Sequence, residues 1–346
     1  MSFTKKYRLL VFGAVAFAAL LLLGSHVVGA RTQAPIQVRW LLSHQPTDVF
    51  ARATQVFAET LARESGGALV LKIIDPEDVG VAAGDVPNAK AFELLDSGAV
   101  ELATTYTVPL GKEYPAFWSL NLPFLFDTYD NASRVLDGPV GQEILDTLAS
   151  HTTAHGLAFT MSGGFRIIVS KDTKIQTLND LKGKRIATSG GPVAEATLSA
   201  LGAVPVSMDL ENGNPDLFSI DGVETTYSRL SAVIGAKPAY TKYINETNHN
   251  IFLTAIIAGK SFYDSLSPKD QVALKKAAEA AALVEREDSI ALGARTRFAL
   301  EEKGSIITPL TAELEKAMRE KTEGVYEELT LRIGRTIVES LVGAAK

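Results

Sequence analysis

The sequence predicts an α/β protein of two lobes, built on mixed, mostly parallel sheets and tied together by one long helix. Three observations carry that expectation. The chain has 346 residues, more than one hydrophobic core ordinarily supports. From residue 37 onward, apolar runs of strand length alternate with stretches of helical period, the pattern of a largely parallel sheet with helical crossovers. Beyond Pro268 a helical pattern runs as far as Gly304 with Gly293 as its sole interruption. A helix of about 36 residues spans about 54 Å at 1.5 Å per residue, longer than one lobe is wide.

Taken in order, the chain opens with an export leader. Lys5, Lys6 and Arg8 precede an apolar run over residues 9–24, and Val28-Gly29-Ala30 offers small residues for cleavage. The run is shorter than the roughly 20 residues of a spanning helix, so a signal peptide over residues 1–30 is expected, removed after Ala30, with an uncleaved anchor as the alternative. Residues 37–43 read as a first strand and residues 49–61 as an amphipathic helix that Gly66-Gly67 stops. Residues 68–74 are almost continuously apolar, as for a strand covered on both faces. Pro87 starts a helix that Gly98 ends, and residues 99–105 return as a strand. Residues 114–126 are rich in aromatics and broken by Pro115 and Pro123, which suits an ordered loop packed against a lobe. A helix over residues 131–149 follows.

The centre of the chain is Gly163-Gly164-Phe165-Arg166-Ile167, which reads as a strand over residues 165–170 leading through a polar turn to a second strand over residues 184–188. Arg166 sits in an otherwise apolar run. An unpaired charge there is costly, so it faces a partner carboxylate, a ligand or a wet cleft, and a structural ion pair is the plainer of these readings. Gly190-Gly191-Pro192 begins a helix to about residue 203, whose first amides can hold an anion or simply start the helix. Residues 204–208, 220–226 and 250–258 read as further strands. Ser267-Pro268-Lys269-Asp270 has the spacing of a capping box with proline at the first helical position. Residues 311–341 supply more helix, packing as a cover.

Lys and Arg number 34 against 40 Asp and Glu, with no basic stripe, so nucleic acid is not an expected partner. Cysteine is absent, which excludes disulfides, thiolate metal sites and a lipid-modified cysteine. No nucleophile elbow, zincin helix, P-loop or dinucleotide fingerprint occurs, so neither an enzyme nor a cofactor is indicated. His151 and His155 could share a helix face as metal ligands, but no third ligand is adjacent and a solvated helix end is preferred. Asp209, Glu211 and Asp216 match a calcium loop only loosely and read as a turn.

Together, Phe57-Ala58-Glu59 with Ser65-Gly66-Gly67, Tyr114-Pro115 with Leu122-Pro123-Phe124-Leu125-Phe126, Gly141, Gly164-Phe165-Arg166, Asp180-Leu181-Lys182-Gly183 and Ile220-Asp221-Gly222-Val223-Glu224 resemble the DctP-type solute-binding subunits of TRAP (tripartite ATP-independent periplasmic) transporters. The similarity runs from about Val38 to the carboxyl end. It implies a two-lobed periplasmic binding protein fold that closes on a ligand and delivers it to membrane permease subunits driven by an ion gradient. One lobe is expected over residues 31–163 and 251–290, the other over residues 164–250 and 291–346, in a monomer. The family's usual clamp arginine falls on Ala187 here. Arg185 points to the same face two residues back, about 6.6 Å away. By the resemblance, Arg166, Arg185, Thr225 and Asp48 are ligand-binding candidates, with Tyr106, Trp118 and Met208 lining the site. A small organic acid or related polar metabolite is the implied ligand. A binding protein of an ABC importer or a receptor system is the alternative, and an exported enzyme resting on the His151/His155 pair is a third.

Overall fold

The computed structural model describes residues 34–42, 47–81, 87–210, 216–234 and 238–346. The leader and its cleavage point lie outside the described residues. Over Ile36–Lys346 the chain is a single compact body carrying two mixed sheets.

The first sheet takes β1 (Ile36–Leu42), β2 (Leu69–Ile74) and β3 (Leu102–Tyr106) from the amino-terminal half, with α1 (Ala51–Ser65) and α2 (Pro87–Asp96) as crossovers. Its order is completed by two long strands, β4 (Ala154–Phe165) and β10 (Ile251–Gly259), as β2-β1-β3-β10-β4. Alternation along β1 places Val38 and Trp40 in one apolar cluster and Leu41 in another, so a core lies on each face. On α1, Ala53, Phe57 and Leu61 recur at helical spacing and are buried beneath Trp40. The helix stops where Gly66 takes the left-handed conformation (φ 67°). Strand β2 corrects the expectation of burial on both faces. It is an edge strand, and Val70 and Ile73 are exposed.

Between the sheets' strands come α3 (Thr107–Glu113), a 3-10 helix over Pro115–Asn121, α4 (Tyr129–Asp137) and α5 (Pro139–His151). The aromatic segment is therefore partly helical rather than a loop, and it is buried. The single helix expected over residues 131–149 is two, because Pro139 has no N–H to continue the ladder and Gly138 is extended.

The second sheet has the order β11-β9-β5-β8-β6-β7. Its members are β5 (Ile167–Ser170), β6 (Arg185–Thr188), β7 (Val204–Ser207), β8 (Gly222–Thr225), β9 (Tyr243–Asn245) and β11 (Ile306–Thr308), with α6 (Gly191–Ala200) and α7 (Leu230–Ile234) among them. Ile167, Val169, Ala187 and Val223 face one core, and Ile168 and Ile186 face the other.

Two segments pass between the sheets, side by side. Arg166 lies between β4 and β5 rather than inside a strand. Its N–H donates to Asn250 O (2.9 Å) and its carbonyl accepts from Asn248 N (3.0 Å). Just before this crossing, β4 advances four positions from Thr160 to Gly164 where β10 advances two, between Thr254 and Phe252, which is a bulge. Gly164 there adopts φ 73°, and a Cβ would meet the Tyr129 hydroxyl at 2.5 Å.

After α8 (Lys260–Ser265), α9 (Pro268–Glu302) is continuous for 35 residues, about 52 Å. Ser267 Oγ accepts from Asp270 N as a cap (3.2 Å). Its first half buries Leu274, Ala277, Ala278 and Ala281 against the first sheet, while Leu300 packs on the second-sheet core and Arg297 pairs with Glu246 at 2.7 Å. The helix thus spans both sheets. The carboxyl end is α10 (Ala312–Ile333) and α11 (Arg335–Ala345), divided at Gly334. Leu314 and Met318 enter a second-sheet core, but Val325, Leu329, Ile333, Val338 and Leu341 enter the core of the first. The apolar stripe of α10 thus continues past the second sheet and returns to the first.

Candidate functional site

The carboxyl ends of β3, β6 and β8 and the two crossing segments converge on one buried polar cluster, the position at which α/β sheets hold ligands. Arg166 is 2% exposed and Glu224, which projects from β8, is 1% exposed. Arg166 Nη1 lies 3.1 Å from Glu224 Oε2. Glu224 Oε1 accepts from His249 Nε2 at 2.7 Å, and Thr188 Oγ1 donates to Glu224 Oε2. On its far side His249 Nδ1 is 2.9 Å from Thr247 Oγ1. Burial by itself pushes the Glu224 carboxyl up, but the Arg166 charge and the hydrogen bonds from His249 and Thr188 outweigh it and bring it down to about 2. The plainer reading of Arg166, a structural ion pair, describes what is seen.

Phe252, two residues past the second crossing, carries two guanidinium groups against its ring. Arg166 Cζ is 5.0 Å from the ring centroid and Arg229 Cζ is 4.3 Å. Arg229, 2% exposed, also donates from Nη2 to the Tyr106 hydroxyl (3.2 Å) and lies 5.1 Å from the Tyr106 ring centroid. Tyr106 packs on Phe252 with ring centroids 4.9 Å apart. One strand end of the first sheet is thereby joined to the segment after β8 of the second.

The other candidates scatter. Thr225 is next to Glu224 on β8 and alternates to the opposite face, the face of Val223 and its neighbour Ala187. Its hydroxyl is buried with no hydrogen-bond partner among the described residues. Met208 follows β7, half-buried on the same core, with its N–H on Thr188 O at 3.1 Å. Arg185 is exposed at the far end of β6, where its Nε donates to Ser219 O (2.8 Å) and its N–H to Asp221 Oδ2 (2.8 Å). It is held away from Arg166 because the strand's length separates it from Thr188. Trp118 turns into the first-sheet core, donates to Val108 O (3.1 Å) and stacks under Arg332. The Asp48 side chain lies outside the described residues.

His151 and His155 sit on different elements. His151 ends α5 and stacks on Tyr114 (4.0 Å), whereas His155 is on β4 beside Asp264 (2.9 Å). The start of α6 is packed, with Val108 close against Gly191 and the Gly190 N–H on Thr188 Oγ1 (2.9 Å). Asp216 accepts from Phe218 N as in an ordinary turn (3.0 Å), and Glu211 lies outside the described residues. Sequence reasoning missed Arg229, Phe252 and His249. The signal available for Arg229 was the one that marked Arg166, an arginine abutting an apolar run, here Leu230 to Ile234.

The family model for bacterial extracellular solute-binding proteins, family 7, known as DctP, matches residues 42–332. A solute-binding protein of Chromohalobacter salexigens is 27% identical over 81% of each chain, and the C4-dicarboxylate-binding periplasmic protein DctP of Rhodobacter capsulatus is 26% identical over 90% of this chain and 91% of its own. The crystal structure of the sugar acid binding protein of Advenella mimigardefordensis in complex with galactonate superposes with a TM-score of 0.78, at 26% identity, covering 90% of this chain and 98% of that one. With two mixed sheets, a long bridging helix and matching relatives along most of its length, the chain belongs to the DctP family of TRAP-type bacterial extracellular solute-binding proteins.

Proposed function

We propose that the protein is the periplasmic subunit that captures a small organic acid between its two sheets and hands it to the membrane permease subunits of a TRAP transporter. What supports this reading is the family match together with the buried polar cluster where the carboxyl ends of β3, β6 and β8 meet the two crossings, with Arg166 and Tyr106 beside it. Among the relatives named above, one is named for C4-dicarboxylates and one was solved with galactonate, all of them carboxylates. The crossings at Arg166 and at Asn248 to Asn250 act as the hinge, since they are the two adjacent passages of backbone between the sheets before α9 closes the connection. Closure follows from the ligand's higher affinity for the closed form. The protein acts as a monomer, and export places it in the periplasm with Arg31 as its first residue. Amino-terminal sequencing of the periplasmic fraction checks that point, and recovery of Met1 or Ser2 would reveal a retained leader.

The experiment for the ligand is mass spectrometry of what copurifies, followed by isothermal titration with hexonates, hexuronates and C4-dicarboxylates. Binding of at least one acid is expected. A protein that binds only neutral solutes overturns the reading.

A further inference from the structure

Glu285 is the central residue of the 35 in α9. It stands where the helix passes from the first sheet, against which Ala278 and Ala281 are buried, toward the second, on which Leu300 packs. Met161, in the bulge that leads β4 into the crossing, donates from N to Glu285 Oε2 (2.8 Å) and accepts at O from Ser289 Oγ (2.9 Å). Both polar groups of one bulge residue are thus held by side chains one helical turn apart on α9. Ser162, next in the bulge, shares a hydrogen bond with Thr254 Oγ1 (2.6 Å), the β10 residue in register with Tyr106. Glu285 is 0% exposed, and its Oε1 has no hydrogen-bond partner among the described residues. A dry carboxylate with an unpaired oxygen is costly, and the neutral acid costs far less. The charges around it are paired with others: Arg286 with Asp137 on α4 (2.7 Å), and Asp288 and Glu287 with Arg52 on α1. The bulge itself faces the carboxyl with the Met161 amide and the Ser162 hydroxyl. The 3-10 turn Thr47–Phe50 also packs on α9, and the side chain of its Asp48 lies outside the described residues. Burial pushes the carboxyl up to about 8, so its proton exchanges close to neutral pH. Rotation at the crossing pulls on the bulge, because the bulge is the last part of β4 before Arg166. Opening admits water to Oε1 and favours the carboxylate, and closure seals the carboxyl and favours the acid.

We propose that Glu285, held against the β4 bulge at the middle of α9, is a proton-linked latch: closure on the solute takes up a proton from solvent at Glu285, and opening returns it. By linkage, the solute raises the proton affinity of Glu285, and a lower pH raises the affinity for the solute. The inference rests on the reading of capture by closure given above, and deepens it by naming what regulates it.

The test is isothermal titration of the parent and Glu285→Gln with a hexonate, a hexuronate and succinate, between pH 7 and pH 9, in buffers of different ionisation enthalpy. These acids are themselves ionised across that range. In the parent, the acid that binds should take up a fraction of a proton. Its affinity should fall by about threefold or more from pH 7 to pH 9, with about tenfold per pH unit as the ceiling for one proton. Glu285→Gln keeps the shape and an acceptor for the Met161 amide, so it should bind with about the parent's pH 7 affinity, a flat profile and no such uptake. Proton release by the parent, an absence of exchange, or uptake that persists in Glu285→Gln overturns the proposal. Should Glu285→Gln fail to fold, difference infrared spectroscopy of the parent at pH 8 decides: binding should strengthen the band of a protonated carboxyl, and an unchanged band overturns the proposal. An acid that binds without a linked proton leaves the organic-acid reading standing, whereas a parent that binds none of the acids overturns that reading and this inference with it.

Discussion

Arg166 and Glu224 are both almost fully buried, and the Arg166 charge is the largest influence that favours the ionised Glu224 carboxyl. Removing one partner leaves an uncompensated buried charge, so Arg166→Ala should destabilise the fold by about 3–5 kcal/mol in chemical denaturation. Replacing both, as Arg166→Met with Glu224→Leu, should recover much of the loss. A double variant no more stable than Arg166→Ala would count against the pair. Because the Glu224 carboxyl is held down to about 2, below its ordinary 4.5, its contribution is fully present above pH 4.5 and fades as the pH falls toward 2. Denaturation between those values should show a drop that Glu224→Gln lacks. Arg166 was legible in the sequence because a charge interrupts an apolar run. Its partner was not, since Glu224 lies 58 positions away and nothing local distinguishes it from a surface glutamate.

At the scale of elements, α9 and the β4 bulge form one unit. Glu285 on the helix accepts from Met161 N in the bulge (2.8 Å), and Ser289 Oγ donates to Met161 O (2.9 Å). Glu285 is completely buried, and its Oε1 has no hydrogen-bond partner among the described residues. Burial pushes the carboxyl up to about 8, against the Met161 amide, the Arg286 charge and the Ser162 hydroxyl, which favour the ionised form, while Asp288 adds to the rise. Arg286 itself is bound to Asp137 (2.7 Å) and Phe159 O. A folded-state value above the unfolded one means that the fold holds the proton. The stability is fully present below pH 4.5 and is lost as the pH rises through about 8. The melting temperature should therefore fall between about pH 5 and pH 8, and Glu285→Gln should flatten the fall. A parent whose melting is level across that range would refute the assignment. The helix was readable from its capping box and unbroken pattern, but the bulge was not, because an extra pair of residues in a strand shows only against the strand it faces.

For the whole molecule, two adjacent crossings and two helices, α9 and α10, join the sheets, an arrangement that permits rotation at the crossings and resists separation. Small-angle scattering should show a smaller radius of gyration on saturation with the acid that binds. A radius that does not change would remove the closing mechanism while leaving family membership intact. Local chemistry in the sequence determined the α/β class, most element positions and the long helix, because hydrophobic period, glycine stops and caps act over a few residues, while the family followed from the resemblance of its motifs. Only the tertiary structure decided that β2 is an edge, that α10 returns to the first sheet, and that Glu224, His249, Phe252 and Arg229 gather around Arg166. Those outcomes depend on which strands pair and which side chains share burial, contacts between residues far apart in the chain that no local pattern encodes.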